Sequence, residues 1–251
     1  GEIDWDPVEV FGQAEAKKLD RFCAMGLQAA SEAAECSGID FNKGNFDRRG
    51  VVIGSGIGGI STIEYGAVYL RENGPKRIRP YFVPRLMANA STGSISIKYN
   101  LKGFNTTPAT ACASGGHAMA EAHRVIRDGE ADLMFAGGAE AAISPVTIAS
   151  FQAMKALSTR NEDPKSASRP FDKDRDGFVL SEGAAVVIME SWEHAIDRGA
   201  TIYAECLGGG ITGDAHHIAA PDPVGAGAGA AMKLALEQAE ANVARLTARL
   251  T

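Results

Sequence analysis

Residues 105–140, NTTPATACASGGHAMAEAHRVIRDGEADLMFAGGAE, decide the fold. The polar-to-small run at 105–114 reads as a strand. GGHAMAEAHRVIRDG carries Ala118, Met119, Ala122, Val125 and Ile126 at helical spacing and stops at Gly129, and ADLMFAGGAE reads as a second, buried strand. Strand, helix and strand in this order form the repeating unit of a parallel sheet covered by helices on both faces.

The neighbouring sequence extends the pattern. Upstream, GVVIGSGIGG is a buried strand running into a glycine turn and ISTIEYGAVYLREN the helix after it, while NGPKRIRPYFVP breaks that helix and continues as a loop. Leu19, Phe22, Cys23, Gly26, Leu27 and Ala30 share one face of an amphipathic helix from about Ala14 to Glu35. Downstream, STRNEDPKSASRPFDKDRDG is a long polar loop and AAVVIME a further central strand. SWEHAIDRG is a short helix closed by Gly199, and TIYAECLGGG a strand with Ile202, Ala204 and Cys206 on one face. ARLTARLT, residues 244–251, is an exact tetrapeptide repeat outside this pattern. The expectation is an α/β protein with a mixed, mostly parallel sheet.

Composition narrows the function. A chain of 251 residues with 45% hydrophobic content builds an ample core. A net charge of −6, with no interleaving of basic and aromatic residues, argues against a nucleic-acid binder. The weakly charged stretch Leu133–Met154 is interrupted by Gly137, Gly138, Glu140 and Pro145, so no membrane span is expected. Cys23, Cys36, Cys112 and Cys206 show neither clustering nor CxxC spacing, which suits a reducing cytoplasm and a soluble protein rather than a disulfide framework or a zinc site. The acidic start GEIDWDPVEV lacks a leader pattern and a methionine, so a cropped sequence is expected. In GPKRIRP, Lys76, Arg77 and Arg79 gather on what is either a solvated loop or a surface for an acidic partner.

Three motifs fall short of their usual chemistry. Gly54, Gly56 and Gly59 match the dinucleotide fingerprint, but the acidic strand end that would hold the ribose is replaced by the basic loop, so tight strand-to-helix packing is the better reading. Asp172, Asp174, Asp176 and Gly177 begin like a calcium loop. Its twelfth position is Gly183 instead of Glu, which favours a surface network with Arg169, Lys173 and Arg175. His216 and His217 point to opposite faces of any strand and have no further ligand nearby. Neither a metal nor a cofactor is expected.

Cys112 is the remaining chemical candidate. It lies where a strand meets a helix N-terminus, whose free N–H groups favour a thiolate, and Ala111, Ala113, Gly115 and Gly116 leave room above the sulfur. The same turn can offer a backbone N–H to an oxyanion. A buried, inert cysteine is the alternative, and local residues leave both readings open. His117 leaves the helix on another face and His123 is three turns away, so a base must come from elsewhere in the fold.

The stretch from TACASGGHA to GATIYAE, with VVIGSGIGG, PYFVPRLMANASTGSISIKYNLKG and GGGITGDAHHIAAPDPVGAGAGAAMKLALEQA, resembles the β-ketoacyl-acyl carrier protein synthases over about Asp6 to Ala239. These are the type II fatty-acid condensing enzymes of the thiolase superfamily. The resemblance implies a layered αβαβα thiolase-like fold, with an N-terminal half at 1–200 carrying the nucleophile, the start of a C-terminal half at 201–243, and the repeat tail at 244–251. It implies that Cys112 takes an acyl chain from acyl carrier protein as a thioester. A malonyl group then loses CO₂, and its carbanion attacks that thioester. Ile57 and Phe151 match acyl-tunnel positions, Val83 matches a tunnel position supplied across a homodimer interface, and Asp214 and His217 match the loop at the tunnel mouth. Lys76, Arg77, Arg79 and Lys155 become a docking surface for the acidic carrier. The family's two catalytic histidines, its supporting lysine and a second oxyanion loop match nothing in this sequence. These 251 residues alone are therefore expected not to condense. Alternatives are a non-catalytic partner subunit, which typically lacks the cysteine, and a thiolase or polyketide ketosynthase sharing the fold.

Overall fold

The computed structural model describes residues 1–250, with the backbone alone for 245–250. Apart from that helical backbone, the tail repeat lies outside the described residues. Helices α1 (Pro7–Ala16) and α2 (Arg21–Ser37) precede strand β1 (Arg49–Gly54), followed by α3 (Ile60–Asn73), α4 (Phe82–Leu86) and α5 (Ala90–Tyr99). Next come β2 (Asn105–Thr106), α6 (Ser114–Arg127), β3 (Leu133–Glu140), α7 (Pro145–Ala153), β4 (Gly183–Glu190), α8 (Trp192–Asp197) and α9 (Ala226–Leu250).

The sheet order is β2-β1-β3-β4. Strand β1 runs parallel to β2 and β3, while β4 is antiparallel to β3, with Phe135 opposite Ile188. Successive side chains of a strand face opposite ways, so Val51, Ile53, Leu133 and Phe135 pack under α2 and α5. Val52, Met134 and Ala136 pack under α6 with Ala118, Ala122 and Val125. The described residues thus build helix, sheet and helix layers, and both faces of β1 and β3 are buried. This is the α/β architecture the alternating pattern implies. No helix among the described residues is long and apolar enough to cross a membrane.

Four local expectations are corrected. The helix expected from Ala14 is two helices, because the Asp20 carboxylate accepts from the Phe22 N–H and caps a fresh start, while Lys18 and Leu19 close tight turns onto Glu15 and Ala16. The strand expected at 105–114 shrinks to Asn105–Thr106, since Pro108 has no N–H and the chain then turns at Thr110 to Ala113. Among the described residues TIYAECLGGG pairs with no strand: its Tyr203 side chain is exposed, and Gly208 and Gly210 instead abut the α9 backbone at Ala235 and Ala231. Strand β4 is an edge of this sheet rather than central, with Val187 exposed.

Candidate active site

Two loops meet at the carboxyl ends of β1 and β3. The first carries Cys112. After Thr110 (φ −127°, ψ 47°) the backbone enters the left-handed region at Ala111 (φ 50°) and makes one tight turn, Ala111–Ala113, that merges into α6. A non-glycine residue held there stores about 1–3 kcal/mol of strain, which persists only where the surroundings impose it. Here buried Ser114 imposes it: its hydroxyl accepts from the Thr110 N–H (2.8 Å) and donates to the Ala111 carbonyl (2.7 Å), while the Ala113 N–H donates to the Thr110 carbonyl. Cys112 is left exposed at the amino end of α6, and its N–H has no protein acceptor among the described residues. The turn therefore presents a thiol and a free donor on the positive end of a helix.

The second loop is the glycine turn after β1. A side chain at Gly54 would overlap the Ser114 carbonyl, so only glycine lets β1 and the start of α6 approach this closely. A Cβ at Gly56 would sit 3.0 Å from Glu140 Oε2 and 3.3 Å from the Ala111 Cα, so a side chain there would be crowded by both. Glu140, the last residue of β3, accepts from the N–H groups of Gly56 (2.6 Å) and Ile57 (3.0 Å) and from the Ser55 hydroxyl (3.2 Å). The Ser55 hydroxyl in turn accepts from the Gly58 N–H, and the Ser55 N–H donates to the Pro108 carbonyl. The N–H groups of Gly56 and Ile57 are thus engaged with a carboxylate and that of Gly58 with a hydroxyl, the donors such a turn would otherwise turn toward an anion. Gly54 packs closely on the start of α6, and Gly59 on Leu86 at the end of α4. The sequence marks Glu140 only as a lone carboxylate closing an otherwise small and apolar strand.

The other candidate residues spread around these loops. Ile57 rides on the glycine turn with its side chain exposed. The Gly59 N–H donates to the Leu86 carbonyl, which ties that turn to α4, where Val83 is exposed. Phe151 on α7 meets Phe178 edge-on, with ring centroids 5.1 Å apart. Asp214 and His217 lie on an exposed loop and serve it internally: Asp214 accepts from the Asp222 N–H, and His217 Nδ1 accepts from the Ala219 and Ala220 N–H groups. Lys76, Arg77, Arg79 and Lys155 are all exposed, the first three around the turn Pro75–Arg77 and Lys155 just past α7 with φ 55°.

His117 turns back to Thr110, its Nδ1 2.8 Å from the hydroxyl, and His194 pairs with Glu190. His123 is partly buried on α6, which lowers its pKa. The expected Asp172–Asp174–Asp176 network forms differently: Asp176 binds Ser158, Thr159 and Arg160 across the neck of the long loop, which holds its carboxyl below the usual range. Arg169 turns to Ser166, and Arg175 donates to the Asp172 carbonyl. Among the described residues no group of three or more histidines, cysteines or carboxylates is arranged to hold a metal.

Comparison with known proteins adds family evidence. Residues 5–195 match the family model described as "Beta-ketoacyl synthase, N-terminal domain". The chain is 47% identical to the 3-oxoacyl-[acyl-carrier-protein] synthase 2 of Vibrio cholerae, a match covering 94% of this chain and 57% of that protein. Among solved structures, a β-ketoacyl synthase from Burkholderia phymatum superposes with a TM-score of 0.78 at 33% identity, covering 94% of this chain and 56% of the other. A ketosynthase bound to a hexaketide, in complex with its type II polyketide acyl-carrier protein, superposes with a TM-score of 0.83 at 32% identity, covering 88% and 55%. The chain therefore spans somewhat more than half the length of the curated relatives it matches.

Proposed function

The chain belongs to the β-ketoacyl synthase family, and from that premise we propose that Cys112 is the nucleophile of a fatty-acid condensing enzyme, taking an acyl group from acyl carrier protein as a thioester. The observation that carries this reading is the Cys112 turn: an exposed sulfur beside a free N–H, on a strained turn locked by Ser114 at the amino end of α6. The Cys112 sulfur attacks the carbonyl to form the new carbon–sulfur bond, the Cys112 N–H receives the developing oxyanion, and the carrier's carbon–sulfur bond breaks, its sulfur leaving with the electron pair and taking up the proton that Cys112 gave up. In the full-length condensing enzyme, malonyl-carrier then loses CO₂ and its carbanion attacks that thioester, forming the carbon–carbon bond and expelling the Cys112 sulfur; the histidines expected to drive this step match nothing in these 251 residues.

The remaining assignments are proposals of the same reading. Ile57, Phe151 and Val83 line the acyl chain's path, the last across a homodimer interface, and Asp214 and His217 stand at its mouth. Lys76, Arg77, Arg79 and Lys155 receive the acidic carrier; the exposure of all four supports this. Four free cysteines support a reducing, cytoplasmic setting. The division at residue 200 is supported by a sheet lying wholly within residues 49–190.

The test is to incubate the protein with acyl-carrier protein charged with a medium-length chain. A hydroxylamine-labile acyl adduct on Cys112 is expected, together with weaker uptake when Lys76, Arg77 and Arg79 are changed to Glu. An unacylated Cys112 contradicts the reading. The likeness to the polyketide ketosynthase gives a second reading, polyketide assembly, which shares this first step and is separated from fatty-acid elongation by which acyl chains the protein accepts.

A further inference from the structure

The Glu140 carboxylate pairs with no cation among the described residues; its hydrogen bonds go to two backbone amides and one hydroxyl of the glycine turn. Charge-assisted bonds to backbone N–H groups are short and directional, and the 2.6 Å bond to Gly56 is of that kind. The turn so held leaves Ala111 close by: its Cα and carbonyl oxygen lie 3.3 Å from where a Gly56 side chain would start, and Ala111 is the left-handed residue immediately before Cys112. The Ser55 N–H to the Pro108 carbonyl makes a second tie between the same two loops. Hydrogen bonds thus run from Glu140 at the end of β3 to the glycine turn, and from Ser55 of that turn to Pro108 in the loop that leads to the Cys112 turn.

We propose that Glu140 is a positioning residue for acyl transfer at Cys112, an inference that rests on the function proposed above. Glu140 fixes the Gly56–Ile57 backbone against Ala111 and so holds one wall of the space in which an acyl thioester meets the sulfur. Its part in the step is geometric. Cys112 Sγ forms the new carbon–sulfur bond, the donor's carbon–sulfur bond breaks, and the donor sulfur leaves with the electron pair and takes up the proton that Cys112 gives up. A thioester that must lie along the wall depends on the wall's position, whereas a small alkylating reagent does not.

Geometry and charge make opposite demands on the substitutions. Glu140→Gln keeps an oxygen that can accept from both amides and removes the charge. Glu140→Asp keeps the charge and falls one methylene short of the amides. Glu140→Ala removes both.

The experiment compares, in this 251-residue protein, the rate of Cys112 acylation by the octanoyl thioester of N-acetylcysteamine with its rate of alkylation by iodoacetamide, both read by intact mass and peptide mapping. Glu140→Ala and Glu140→Asp are expected to slow acylation by about tenfold or more while alkylation changes little, and Glu140→Gln to restore acylation to near the parent rate. Should the Ala variant fail to fold, the Gln and Asp variants carry the comparison. Acylation at the parent rate in both Asp and Ala variants overturns the proposal, as does rescue by Asp but not by Gln, or an equal fall in both reactions. A parent protein that iodoacetamide labels at Cys112 but the thioester does not acylate defeats the functional reading itself, a result distinct from each of these.

Discussion

Cys23 and Cys112 both stand at the start of a helix, yet they have opposite properties. Cys23 lies in the first turn of α2, is 1% exposed, and sits 3.3 Å from the Ser94 hydroxyl on α5; burial pushes its thiol up to about 11. Cys112 lies just ahead of α6 and is exposed. A helix amino end is therefore not what makes a cysteine available. The difference is made by the backbone before it: α2 starts from an Asp cap in extended geometry, which turns its first residues into the core, whereas Ala111 is left-handed and carries the next residue outward.

The largest test of this contrast is removal of each sulfur. Cys112→Ala is expected to abolish the acyl adduct seen by intact mass, and Cys23→Ala to leave it in place. Next comes the contact that seats the turn. Gly54→Ala forces a methyl group into the Ser114 carbonyl, at a cost of about 3 kcal/mol in urea unfolding and with slowed Cys112 acylation. A Gly54→Ala protein as stable as the parent shows that the two loops are not locked together. Ser114→Ala leaves the Thr110 N–H and the Ala111 carbonyl without their hydroxyl partner, at about 2 kcal/mol by the same measurement.

Cys23 contributes through pH. Its pKa is raised in the folded state, so the fold resists losing that proton. Stability is full below the ordinary thiol range and falls as pH rises toward about 11. Cys23→Ala is expected to cost about 1 kcal/mol at neutral pH and to flatten that alkaline decline, followed by thermal melts across the range. The smallest effect belongs to the segment without strand partners: Tyr203→Ala, at an exposed side chain, is expected to stay within about 0.5 kcal/mol of the parent.

What could be read in the sequence was what local chemistry determines. Strand β1, its glycine turn, α6 and β3 follow from apolar runs and helical spacing, and the cysteine at the hinge follows from the small residues around it. What could not be read depends on partners distant in sequence. TIYAECLGGG has the composition of a strand, but its glycines lie against α9, whose approach no local pattern announces. AAVVIME reads as central because it is apolar throughout; among the described residues it pairs only with β3 and stands at the edge of their sheet. At the site, Cys112 and the glycine turn were visible, whereas Glu140 was not, because its role exists only once β3 has brought it within reach of Gly56 and Ile57.

The most direct test is a competition among the four cysteines for one acyl thioester, with the modified residue identified by peptide mapping. Cys36 is the informative control, since it too is exposed but lies at the end of α2 without a comparable turn. A single adduct on Cys112, with Cys36 and Cys23 unmodified, is the result this account predicts. Acylation shared between Cys36 and Cys112 would show that exposure alone governs the chemistry, and the turn built by Ala111 and Ser114 would have no catalytic meaning.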